Sequence, residues 1–188
     1  MALLVVTGGA ALLCLIRFRH IFADPFANVT GPLGDSQQMV WHIGWVPYAI
    51  SHHLNPFQTD FLNYPGGVNL AWNTDIPLAG LVMWPVTAVF GPTFSYNAFM
   101  AAGFVLSTLT AFLAIRRLVS SNLGSAVGAF LYGFSPYIVA QAGGHTNLEF
   151  VPLPPLILML LHELVVGRRR PAVIGALLGL RTSACPCC

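Results

Sequence analysis

Apolar residues fill most of this chain and gather in separate runs. Four of these runs approach the roughly 20 residues that a helix needs to cross the hydrocarbon core of a membrane. They are residues 2–16, which apolar positions extend to residue 22, and residues 94–115, 123–141 and 150–166. A further run begins at residue 171. The pattern predicts an all-α, polytopic membrane protein with about four to five transmembrane helices, the first of them a retained span and not a cleaved signal peptide.

Two other segments predict helices that do not cross the membrane. Residues 76–90 are apolar but carry Pro77 and Pro85, which favours a re-entrant or interfacial segment that ends at Gly91. Residues 38–54 predict a helix that is rich in Trp and Tyr. Because these side chains favour the bilayer interface, we expect this helix to lie on the membrane.

The region 23–93 interrupts the apolar pattern with polar, aromatic and turn-forming residues. Between Gly34 and Pro77 it holds three of the chain's six acidic residues and three of its six histidines. We expect a large external loop carrying interfacial helices, within a single transmembrane domain that covers residues 1–180 and is incomplete at its C-terminus. Residues 181–188, RTSACPCC, break off from the apolar pattern and are interpreted as an aberrant tail.

Composition supports a membrane protein and excludes an ordinary soluble fold. Hydrophobic residues make up 56% of the chain and charged residues only 7%, with a mean hydropathy of +0.72, whereas soluble domains carry about 25% charged residues. The chain has no glycine-rich phosphate-binding motif. We therefore expect membrane lipids as partners and no nucleic acid.

The positions of the arginines predict the orientation of the helices. The arginines stand at positions 17 and 19, 116 and 117, 168 to 170, and 181. Arginines near the ends of spans favour the cytoplasmic side, so we place the second and third groups inside. The 23–93 loop and the 143–149 loop then share the external face of the inner or plasma membrane. The first group also falls on that face, where it either snorkels to the lipid head groups or indicates an inverted first span.

Asp35 is the sharpest candidate residue in the external loop. It follows Gly34 at the start of the aromatic helix. One interpretation is an N-terminal helix cap, for which Asp is among the best residues. The other is a carboxylate held at the membrane surface, where it takes a proton from an acceptor hydroxyl.

A second polar cluster lies in the short loop between two apolar runs. It consists of His145, Asn147 and Glu149 and is either a solvated turn or part of a site on the external face. The adjacent histidines His52 and His53 point in different directions on a helix and lack the spacing of metal ligands. No metal site and no cofactor is predicted, and a divalent metal is unsupported.

Several short motifs together resemble one family of membrane proteins. They are GD ahead of an aromatic helix, NPF, NYP-G-VNL-WNT, a proline-bearing apolar hairpin, a span that ends AIRRL and a span that ends GFSPY before a short polar loop. This set is similar to the N-terminal part of bacterial multi-pass proteins of the glycosyltransferase C superfamily, over most of residues 1–180. Members of that superfamily use sugars linked to polyprenyl phosphate as donors on the external face.

The resemblance implies roles for the candidate residues. Asp35 matches the acidic residue of the first external loop, a catalytic base or acceptor-positioning group, although Ser36 follows it where better-known members carry a second acid. The loop from His145 to Glu149, including Asn147, corresponds to a substrate-contacting segment. The residues expected to help stabilise the departing phosphate are His145, His42 and His52.

The leading interpretation is thus an integral-membrane glycosyltransferase with a lipid-linked sugar donor. A transporter or flippase of lipid-linked intermediates is the main alternative, although transporters usually place ionisable residues near the middle of the membrane. A non-catalytic membrane scaffold is the third interpretation.

Overall fold

The computed structural model describes residues 1–31, 34–72 and 74–166, and this part of the chain is mostly helical. The helices are α1 (Ala2–Arg17), α2 (Arg19–Phe22), α3 (Asp35–Ser51), α4 (Pro77–Leu118), α5 (Asn122–Gly133), α6 (Pro136–Gln141), α7 (Thr146–Glu149) and α8 (Leu153–Val165). In the large loop, β1 (Gln58–Thr59) and β2 (Val68–Asn69) form a two-residue antiparallel ladder, followed by a 3-10 turn at Leu70–Trp72.

Three helical stretches in the described residues are long and apolar enough to cross a membrane. They are Pro77–Leu118, Asn122–Gln141 and Thr146–Val165, and the shorter α1 is also apolar. These stretches indicate a membrane protein, while the finer count of about four to five spans stays a prediction. The run that begins at residue 171, the arginines at 168–170 and the tail at 181–188 lie outside the described residues.

Helix α4 is a hairpin of two helical arms, residues 77–90 and 92–118. Gly91 between them has φ 82° and ψ 168°, a conformation that is essentially restricted to glycine. The hydroxyl of Thr87 donates to Ser95 Oγ across 2.9 Å, whereas eight residues of straight helix span about 12 Å. The arms therefore run antiparallel, and the first arm ends at Gly91, as the sequence predicted. Its position relative to the membrane stays a prediction.

Helix α1 packs antiparallel to the second arm of α4. Cys14 contacts the cluster that contains Met100 near the start of this arm, and Val6 contacts Ala111 further along it. The end of α1 that carries Arg17 therefore lies beside the start of the second arm. An inverted first span would require the opposite pairing, so this packing favours arginines that snorkel at the outer end.

The 123–141 segment is divided into two helices. Helix α5 ends at Gly133 and α6 begins at Pro136, with the hydroxyl of Ser135 accepting from the backbone N–H of Ile138 at 3.4 Å. The predicted span is confirmed as the stretch Asn122–Gln141, which is long and apolar enough to cross a membrane. It is interrupted before Pro136, because proline favours the first position of a new helix over the interior of an old one.

Helix α8 runs in the same direction as the second arm of α4. At one end the rings of Phe99 and Phe150 stack with centroids 4.6 Å apart. At the other end Arg117 Nη1 lies 3.3 Å from Glu163 Oε1. This common direction is what the positive-inside pattern predicted for the two spans.

Helix α3 packs on the hairpin of α4. Its residues Met39 and Ile43 form a buried cluster with Ile76 and Ala79 from the start of the first arm and Tyr96 from the second. The helix begins three residues earlier and ends three residues earlier than the predicted range 38–54. One face of α3 is therefore buried against the hairpin of α4, and the helix does not rest on lipid alone.

Candidate functional site

Asp35 is the first residue of α3, and its carboxylate is open to solvent. Its side chain is 55% exposed. The residue before it, Gly34, occupies the N-cap position with φ 121° and provides no side-chain cap. Among the described residues, the Asp35 carboxylate forms no hydrogen bond with the helix backbone, so the interpretation as a helix cap is wrong. The positive end of the helix dipole still favours a negative charge here.

His145 is the neighbour of Asp35. Its Nε2 lies 3.6 Å from Asp35 Oδ2, and its side chain is 47% exposed. This separation is within ion-pair range but longer than a hydrogen bond. The preceding residue, Gly144, packs against the Cβ of Asp35 and the hydroxyl of Ser36. Two residues 110 positions apart are thus held together at one end of the helical bundle, with both side chains accessible.

A buried chain of polar contacts supports the start of α3 beneath Asp35. The hydroxyl of Ser36 donates to the carbonyl oxygen of Thr30. The Thr30 hydroxyl lies 3.2 Å from the Tyr96 hydroxyl and 3.7 Å from Met100 Sδ. These contacts connect the 23–93 loop to the second arm of α4 and fix the direction in which α3 begins. Sequence reasoning missed Thr30 and Tyr96, since no local pattern links residues 66 positions apart.

Glu149 lies in the core, although it is only four residues from His145. Its side chain is fully buried, and neither carboxylate oxygen has a hydrogen-bond partner among the described residues. The carboxylate lies against Gly103, where a Cβ would overlap it. The interpretation of this loop as a solvated turn is therefore wrong for Glu149, because a solvated carboxylate would face water. Its predicted contact with substrate has no accessible surface in this conformation.

His42 is buried in a pair with Asp75. The side chains are 3% and 6% exposed, and His42 Nδ1 contacts Asp75 Oδ1. The same oxygen accepts from the backbone N–H of Ile76 at 2.7 Å, where the first arm of α4 begins. The structure therefore separates His42 from the accessible pair at Asp35. The pairing of His42 with Asp75 was not predicted from the sequence.

His52 and Asn147 lie on different elements: His52 follows the end of α3, and Asn147 lies in α7. His52 follows the last residue of α3, where its Nδ1 lies 2.8 Å from the carbonyl oxygen of Tyr48 and its ring stacks on that of Tyr48. The 17 residues of α3 span about 25 Å, so His52 is not brought to Asp35. Asn147 is exposed, two residues after His145, and lines a cavity with Asp75.

The described residues contain no group of three or more His, Cys, Asp and Glu side chains that could hold a metal ion. The chemistry that the accessible pair offers is proton transfer. A solvent-exposed carboxylate beside an imidazole can accept a proton from a hydroxyl within hydrogen-bonding reach. The expectation of no cofactor stays a prediction.

Comparison with known proteins places most of the chain in one family. No curated protein and no solved structure matches the chain. One family's sequence model does match, over residues 5–182, which is nearly the full length. The chain therefore belongs to the family described as Domain of unknown function (DUF6311).

Proposed function

We propose that this chain is an integral-membrane glycosyltransferase that moves a sugar from a polyprenyl-phosphate donor to an acceptor hydroxyl at the external face of the plasma membrane. The observation that carries the proposal is the separation of 3.6 Å between Asp35 and His145. These residues come from two different loops and form an accessible acid–imidazole pair at one end of a bundle of apolar helices.

The proposed step is a displacement at the anomeric carbon of the donor sugar. Asp35 takes the proton of the acceptor hydroxyl while the acceptor oxygen forms a bond to the anomeric carbon. The bond from that carbon to the phosphate oxygen breaks, and polyprenyl phosphate leaves with the electron pair. His145 orients the Asp35 carboxylate and, in its protonated form, stabilises the charge that develops on the phosphate. A lipid-phosphate donor carries its own leaving group, so this step needs no nucleotide.

Replacement of Asp35 by Asn tests the proposal. The protein in lipid nanodiscs is incubated with a panel of polyprenyl-phosphate hexoses and pentoses and with membrane glycolipids as acceptors, and release of polyprenyl phosphate is measured. Asp35→Asn is expected to lower turnover about 100-fold or more, the contribution of a general base. Asp60→Asn, an exposed acid in the same loop, is the matched control and should retain turnover. Equal turnover of wild type and Asp35→Asn would contradict the proposal.

One observation favours the alternative of a transporter for lipid-linked intermediates. Glu149 is an ionisable residue enclosed within the bundle without a partner among the described residues, and such residues in membrane proteins mark ion or substrate pathways. A transporter would move the lipid-linked sugar between the leaflets of a vesicle without forming a glycosidic bond. Leaflet-specific labelling of the sugar, combined with product analysis, separates the two functions.

A further inference from the structure

A cavity of about 310 Å³ lies between the start of the first arm of α4 and the loop that carries α7. Its polar lining comes from Asp75 and Asn147, and its apolar lining comes from both arms of α4, from the residue before the first arm and from Phe150, which follows α7. The apolar residues are Ile76, Pro77, Leu78, Ala79, Val82, Phe99 and Phe150. The volume is near the lower limit of the roughly 300–1,000 Å³ found for small-molecule sites.

Asp75 leaves one carboxylate oxygen unused in this cavity. Oδ1 contacts His42 and accepts from the N–H of Ile76. Oδ2 is buried and has no hydrogen-bond partner among the described residues. An unsatisfied buried acceptor destabilises the folded protein, and more so when it is charged. Because Asp75 lines the cavity, a hydrogen-bond donor bound beside this carboxylate would satisfy the acceptor.

The opposite wall of the cavity suits an apolar chain. Phe99 and Phe150 stack with ring planes 10° apart and form a flat apolar surface. Leu78 and Val82 are largely exposed and line the cavity where it opens at the surface of the helical hairpin. In a membrane protein, such an exposed apolar opening gives lateral access for a lipid.

The charge of Asp75 selects the kind of head group. A carboxylate oxygen accepts hydrogen bonds from hydroxyl groups, and the Asn147 amide both donates and accepts them. This pair suits a polyhydroxylated head group and opposes an anionic one, which would bring a second negative charge to Asp75. A phosphate or fatty-acid head group is therefore disfavoured at this position.

We propose that this cavity binds the sugar of a lipid-linked glycoside, with one sugar hydroxyl donating to Asp75 Oδ2 and another bonded to the Asn147 amide. The adjoining apolar chain lies over Phe99 and Phe150. The identification of this ligand as the glycolipid acceptor rests on the proposed function. Helix α7 relates the two regions, since His145, immediately before it, lies beside Asp35 while Asn147 faces the cavity.

Photolabelling of the full chain in lipid nanodiscs tests this site. One probe is an alkyl β-glucoside with a diazirine in its chain, and the other is an alkyl phosphate with the same chain. The glucoside should label the peptides that contain Phe99 and Phe150, and the phosphate should label them weakly. Asp75→Asn is expected to weaken glucoside labelling about tenfold, as expected for the loss of one hydrogen bond to a charged group. Asp60→Asn is the control.

Asn147→Ala provides a second variant, because Asn147 is exposed and its truncation does not disturb the core. It should also weaken glucoside labelling. Labelling that is equal for the two probes, or that is unchanged in both variants, would overturn the site. Wild-type labelling by the glucoside without any release of polyprenyl phosphate would support the site and contradict the glycosyltransferase. If release of polyprenyl phosphate depends on Asp35 but the glucoside does not label the cavity selectively, the result would support the glycosyltransferase and contradict the sugar site.

Discussion

The buried carboxylate of Glu149 lies against the backbone of Gly103 in the second arm of α4. A Cβ at position 103 would overlap both carboxylate oxygens. Glycine is therefore required at this point by the close approach of α7, and not by its backbone conformation. The contact joins the 143–149 loop to the centre of the bundle.

Substitution of this glycine should destabilise the protein. Gly103→Ala inserts a methyl group into the space of the Glu149 carboxylate, and we expect a loss of about 1–3 kcal/mol in the free energy of unfolding. Gly8→Ala is the matched control, because a Cβ at this exposed helical position meets no atom within 4 Å. Since alanine is the better helix former, the control should be neutral or stabilising. Thermal unfolding in detergent measures both, and equal melting temperatures for the two variants would contradict the contact.

The polar chain beneath Asp35 gives a second stability prediction. Tyr96→Phe removes the hydroxyl that lies 3.2 Å from Thr30 Oγ1 while it keeps the ring in the core. We expect a loss of about 1 kcal/mol in the free energy of unfolding, the typical contribution of one hydrogen bond. Tyr137→Phe changes a 55% exposed side chain and should have little effect. If Tyr137→Phe lowers the free energy of unfolding as much as Tyr96→Phe does, the loss does not come from the contact between Tyr96 and Thr30.

The order and type of the helices were largely predictable, whereas their ends and breaks were less so. Apolar runs determine where helices form, so the long helices lie close to the predicted ranges. Helix α3 begins at Asp35 and not at residue 38, because the positive φ of Gly34 allows the turn immediately before it. The break before Pro136 was marked in the sequence by Ser-Pro, a common helix start. The prediction of a span over residues 123–141 rested on the hydropathy of these residues and did not use the Ser-Pro pair.

The sequence predicted those features of the candidate site that depend only on the orientation of the helices. The arginine pattern predicted that Asp35 and His145 share a face, and the structure places them 3.6 Å apart. The pairing of His42 with Asp75 depends on the packing of α3 against the start of α4, and the burial of Glu149 depends on the close approach of α7 to Gly103. Such tertiary contacts, one of them across 33 residues, leave no periodic signal in the sequence.

The orientation of the bundle is open to direct measurement. In a background in which the four cysteines are replaced by alanine, Asp60→Cys and Asn147→Cys place thiols on exposed positions of the two loops that are predicted to be external. A membrane-impermeant maleimide should label both in intact cells. Leu118→Cys, at the exposed end of the second arm of α4, should be labelled only after the cells are opened. Labelling of positions 60 and 147 from opposite sides would contradict the arrangement that the arginines predict.

The proposed role of His145 gives a prediction that a purely structural residue would not satisfy. If His145 acts through Asp35, His145→Ala should lower release of polyprenyl phosphate about 10- to 100-fold, which is less than the roughly 100-fold or larger loss expected for removal of the base itself. Combined with Asp35→Asn, it should cause little further loss, because the effects of residues that act as a unit are not additive. His20→Ala, an exposed histidine in α2, is the control and should retain turnover.

The double variant separates positioning from independent action at the same site. Fully multiplied losses in Asp35→Asn/His145→Ala would indicate that His145 contacts the substrate by itself and does not orient Asp35. His145→Gln keeps a hydrogen-bonding side chain of similar length but cannot carry a positive charge. If orientation is the main role, this variant should recover part of the turnover lost in His145→Ala. If stabilisation of the departing phosphate is the main role, it should recover none, since that role requires the protonated imidazole.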